Sequence, residues 1–102
     1  MTNKFIESSS KKDLLEVFWK CLYPFQISKT IINSNLDHAL HGFQQEMRIP
    51  FESFIKSSPQ DMKHVFYQIL LKHFIISLNS DKEILGNENF EKITTEVENL
   101  LK

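Results

Sequence analysis

Asp37-His38-Ala39-Leu40-His41 is the stretch whose residue types come nearest to metal chemistry. On a helix, His38 and His41 are i,i+3 neighbours and Asp37 lies one turn before His41, so the three share a side. That side is opposite the apolar stripe of the same helix, which is also the pattern of a solvated polar face. No Glu-x-x-His pair occurs elsewhere to complete a buried two-metal site. His73 falls on the apolar side of its helix, beside Met62, Phe66 and Ile69, where a buried neutral imidazole would bind a cofactor or sense pH. The alternative for His73 is a core histidine hydrogen-bonded to a carbonyl or carboxylate.

Cys21 would need a neighbouring base or cation to become a nucleophile. Its helical neighbours Leu14, Val17, Phe18 and Leu22 supply neither, so it reads as a small hydrophobe in a packed interface. The carboxylates fall mostly on wet faces and at helix starts, and no acid/base pair emerges. With two glycines in 102 residues, a phosphate-cradling glycine loop cannot be built. These residues yield no catalytic constellation, and no cofactor is expected.

Net charge is -1, with lysines and glutamates interspersed, so no excess of positive charge is on hand for phosphates. Nine phenylalanines, two tyrosines and one tryptophan recur mostly at helical spacing on apolar faces, the pattern of a core rather than of base-stacking platforms. A helix-turn-helix over residues 35–56 would have Phe51, Glu52, Phe54 and Ile55 on its recognition helix, poor material for reading a groove. The single cysteine excludes an internal disulfide and fits a reducing compartment. No apolar run resembles a signal peptide, and none is long enough to span a bilayer. The expectation is a cytoplasmic protein.

The elements that must position these residues are helices. The central one is expected to start at Ser58-Pro59-Gln60-Asp61, with Ser58 as N-cap, Pro59 in the first helical position and Asp61 completing a capping box. It carries Met62, Val65, Phe66, Ile69, Leu70, Phe74, Ile76 and Leu78, an apolar arc of roughly 220° against the ~100° of a surface helix. Ser10-Lys11-Lys12-Asp13 is another capping box, opening a helix to about Tyr23 that is apolar over roughly 200°. The next helix starts at Ser28 or Asn35, carries the narrow stripe Ile32, Leu36, Ala39/Leu40, Phe43 and Met47, and ends at Ile49-Pro50. A short helix holds Phe51, Phe54 and Ile55. Ser80-Asp81-Lys82-Glu83 reads as a third capping box before a single turn stopped by Gly86, and Asn87 as the cap of a last helix with Phe90, Ile93, Val97, Leu100 and Leu101.

The sequence therefore predicts an all-α fold, a compact bundle of four main helices plus one short helix. Residues 1–9 read as a loose N-terminal arm whose Phe5 and Ile6 can dock on the body, and 10–102 as a single all-helical domain. With two widely apolar helices and few neighbours to cover them, the central helix has first claim on the core. The Leu15/Trp19/Leu22 edge of the first helix is then expected at the surface as a partner-binding patch. Its partner would be a protein, most simply a second copy in a two-fold dimer. The expected function is a small non-enzymatic interaction module (adaptor, inhibitor, immunity-type or regulatory factor). The alternatives are a dimeric helical DNA-binding transcription regulator and a small metal- or cofactor-binding helical protein.

Overall fold

A computed structural model describes Phe5, Ser8 and residues 10–101. The fold is all-α, with no strand among the described residues. Helix α1 spans Lys11–Leu22, α2 Lys29–Met47, α3 Phe51–Ser57, α4 Lys63–Leu78, α5 Lys82–Leu85 and α6 Asn87–Asn99. Three 3-10 turns, Tyr23–Phe25, Gln60–Met62 and Asn79–Asp81, extend or precede these helices.

Two of the expected starts take the form that the side chains dictate. Ser10 accepts the Asp13 N–H at 3.3 Å, and Ser28 accepts the Ile31 N–H at 3.2 Å, which settles the start of α2 at Ser28. Asn35 is instead a buried residue within that helix. Arg48 ends α2 in the left-handed conformation, its N–H on the Gln44 carbonyl at 2.7 Å.

The other starts differ. Ser58 does not cap the central helix: both it and Pro59 are extended, with ψ of 147° and 151°, and the α-helix begins at Lys63 after a 3-10 turn. Proline disfavours helical geometry in the residue before it. Ser58 Oγ then turns back and donates to the Phe54 carbonyl, closing α3. Ser80 likewise donates to the Ser77 carbonyl at 2.6 Å instead of capping α5. The cap of α6 is Gly86 rather than Asn87. Its φ of 89° strains a side-chain-bearing residue, and its carbonyl accepts the Phe90 N–H at 2.8 Å.

Each long helix packs most extensively against two of the other long ones. Helix α1 lies against α2 and α6, and α4 against the same two, with α2–α4 the most extensive contact. Helices α1 and α4 thus stand on a diagonal, and their side chains meet in the middle, where Phe18 stacks on Phe74 with centroids 4.3 Å apart and planes 14° apart. Leu14, Phe18 and Leu22 from α1, the α2 stripe Ile32, Leu36, Ala39 and Phe43, and Phe66, Tyr67, Leu70, Leu71, Phe74 and Leu78 from α4 are buried. Ile93 and Val97 of α6 and Phe51 and Ile55 of α3 complete the core.

A polar link is built into this core. Asn35 is buried and donates through Nδ2 to the Ile31 carbonyl at 2.9 Å and to Asp81 Oδ2 at 2.8 Å, while Ser77 Oγ donates to its Oδ1 at 2.7 Å. Satisfied in this way, Asn35 ties α2 to the end of α4 without an unpaired polar group. Within the expected N-terminal arm, Phe5 is buried in the core. Ile6 and most of that arm lie outside the described residues.

Candidate interaction surfaces

A bundle of four gives every helix an outward face, including one that is apolar all round. The central helix is therefore not surrounded. Met62, Val65 and Ile76 are exposed, Val65 at 43% and Ile76 at 62%. The α4–α6 side holds a groove of about 640 Å³. Its apolar walls are Leu71, Ile75 and Ile76 from α4 and Leu101 beyond α6, while Lys72, Gln68 and Glu98 stand at its polar positions.

The expected Leu15/Trp19/Leu22 edge is only partly present. Leu22 is fully buried and cannot meet a partner. At about 100° per residue, Leu14, Phe18 and Leu22 lie within ~80° of one another and define the core face, while Leu15 and Trp19 lie farther round. Those two are half-buried and line a hollow of about 330 Å³ with Lys12, Glu16, Lys20 and Lys29. Lys29 Nζ sits 5.6 Å from the Trp19 ring centroid, and the exposed Tyr23 ring is 6.1 Å from it.

His73 is half-buried at the α2–α4 contact, its side chain 21% exposed, rather than enclosed in the core. Its Nε2 lies 3.0 Å from Glu46 Oε1. An ionised carboxylate only accepts, so Nε2 carries the proton. Lys72 Nζ reaches the same oxygen at 2.9 Å. Hydrogen bonds from Lys72 and then from His73 hold the Glu46 carboxyl below the usual carboxylate range. The imidazole edge lies over Gly42, where a Cβ would stand 2.6 Å from Nδ1 and 3.0 Å from Cγ. With one nitrogen on Glu46 and the other against the α2 backbone, the ring acts as an interhelical strut.

That close approach gives a testable coupling. Ala in place of a glycine inside a helix gains about 1 kcal/mol. At Gly42 the added methyl must displace the imidazole from Glu46, an overpacking cost of about 1–3 kcal/mol. Gly42→Ala is expected to destabilise the wild type and to stabilise His73→Ala by about 1 kcal/mol. Urea unfolding of the four proteins of the cycle measures it, and equal effects in both backgrounds would refute the strut.

The remaining sequence candidates are not brought together. Asp37 pairs with Lys11 of α1, and His38 and His41 are exposed. Among the described residues no three His, Cys, Asp or Glu side chains are grouped to hold a metal ion. Cys21 sits against α6, its thiol 3.7 Å from the Glu96 carbonyl. Burial first, and the Glu96 charge second, push that thiol up, which disfavours the nucleophilic thiolate. In the conceivable helix-turn-helix over residues 35–56, Phe51 and Ile55 of the would-be recognition helix are core residues, and Glu52 accepts the Lys11 N–H at 3.3 Å. Among the described residues, no helix is long and apolar enough to cross a membrane.

Sequence reasoning missed the α4–α6 groove. The signal available for it is the breadth of the α4 apolar arc, more than the neighbours in a bundle cover. Comparison with protein-family models, curated proteins and solved structures finds no match.

Proposed function

We propose that the chain is a small non-enzymatic interaction protein, an adaptor, inhibitor, immunity-type or regulatory factor, that receives an apolar segment of a partner protein in the α4–α6 groove. The observation that carries this reading is the groove itself, with Ile76 62% exposed beside Leu71, Ile75 and Leu101. Monomeric proteins seldom leave contiguous apolar surface in a concavity unless something occupies it. A second copy is the simplest occupant to examine first, because a two-fold contact needs only one kind of surface. The polar groups Lys72 and Glu98 carry opposite charges and suit the rim of such a contact, where they favour orientation more than affinity.

Ile76→Glu tests the proposal. The side chain is exposed, so stability is expected to change by no more than about 0.5 kcal/mol. A charge at this position should prevent burial of the groove. Light scattering over a range of concentrations reads self-association. Partner capture from the native host, with wild type and variant as baits, reads other occupants. A wild type that stays monomeric, together with a captured set unchanged by Ile76→Glu, would remove the groove as the functional surface.

A further inference from the structure

We propose that the Leu15–Trp19 hollow on α1 binds an acidic segment of a partner protein carrying an apolar anchor, a surface separate from the α4–α6 groove. The argument is charge complementarity around an apolar floor. Three lysines, Lys12, Lys20 and Lys29, line the hollow with a single carboxylate, Glu16. That carboxylate is engaged by Lys20 at 3.1 Å. Lys12 and Lys29 have no ion pair among the described residues, whereas the adjacent Lys11 is neutralised by Asp37. In a chain of net charge -1, this is a local excess of positive charge beside half-buried Leu15 and Trp19.

The resting position of Lys29 supports the same reading. Its ammonium is parked 5.6 Å from the Trp19 centroid, an exposed cation–π contact of the weak kind that a carboxylate readily competes for. Moving Lys29 onto an incoming Glu or Asp would uncover the indole face for an apolar side chain, and tryptophan is enriched at the residues that anchor interfaces. Rim lysines would speed encounter with an acidic chain and make binding salt-dependent. A nucleic acid is the poorer fit, since a phosphate backbone needs a continuous cationic track, and here Glu16 interrupts it.

Trp19 is the only tryptophan, so its fluorescence reports on the hollow directly. The full chain is titrated with three probes: an amphipathic peptide of Leu and Glu, the same peptide with Lys replacing Glu, and oligothymidylate. The Leu/Glu peptide is expected to shift Trp19 emission, and the Lys12→Glu/Lys29→Glu variant, checked for native circular dichroism, to bind about tenfold or more weakly. Added salt should weaken the wild-type complex, and Ile76→Glu should leave it unchanged. Equal binding of the Leu/Lys peptide, a response to oligothymidylate alone, or no response to any probe would overturn the proposal. Loss of peptide binding in Ile76→Glu but not in the lysine variant would place the segment in the α4–α6 groove, refuting this surface while supporting the other.

Discussion

Phe74→Ala is expected to cost about 3–5 kcal/mol of folding stability, the range for removing a large aromatic from a core that cannot collapse around the gap. The ring is fully buried and stacked on Phe18 at 4.3 Å. It sits where the diagonal helices α1 and α4 meet, walled on the remaining sides by α2 and α6. Closing the void would require two helices to move together, and each is held by its own buried stripe. Total stability of a small domain is about 5–15 kcal/mol, so the loss is a large fraction of it. Urea unfolding should show the midpoint fall with little change in slope. Ile76→Ala on the outward face of the same helix serves as the control and should change stability by no more than about 0.5 kcal/mol. A Phe74→Ala cost below about 1 kcal/mol would mean the ring is not at the centre of the bundle.

The contrast between Phe74 and Ile76 also marks what the sequence can and cannot say. Local signals sufficed where a serine turns forward onto a free N–H in the first turn of a helix. Ser10 and Ser28 cap because the N–H three residues on has no other acceptor. The α2 stripe is buried at Ile32, Leu36, Ala39 and Phe43 as its narrow period implies, with Leu40 and Met47 half-buried at its edges. Ser58 and Ser80 failed as caps because each found a carbonyl behind it, in α3 and at the end of α4.

The apolar arcs of α1 and α4 were legible in width but not in orientation. Which edge stays wet depends on the spacing between helices far apart in sequence. The open α4–α6 seam exposes Ile76, while the closed α1 contacts bury Leu22. The same holds for the polar struts. Glu46 with Lys72 and His73, and Asn35 with Ser77 and Asp81, join residues that are ordinary in their own segments. His73 looked like a core residue because its helix neighbours are apolar, yet the α2 backbone at Gly42 is what meets it.

Phe5→Ala should cost about 3 kcal/mol, far more than a substitution in a loose arm would. The side chain is 1% exposed, with its ring 4.4 Å from that of Tyr67 and 5.8 Å from that of Phe18, so it continues the aromatic column that begins at Phe74. Three residues on, the Ser8 carbonyl accepts the Tyr67 hydroxyl. That phenol is pushed well above its ordinary value of 10.0, by burial first and by the Asp13 charge second. A group whose pKa is raised in the folded state contributes stability that is present below its unfolded value and lost as pH climbs past it. Wild-type stability should therefore decline above about pH 10, and Tyr67→Phe, at a cost of about 1 kcal/mol near neutrality, should remove that part of the decline. The two substitutions share a contact, so their costs should sum to more than the double variant loses. Urea unfolding at neutral and alkaline pH measures all three quantities. If Phe5→Ala costs less than about 0.5 kcal/mol and its effect is independent of Tyr67, the first residues are the loose arm that their composition suggests, and the column ends at Phe18.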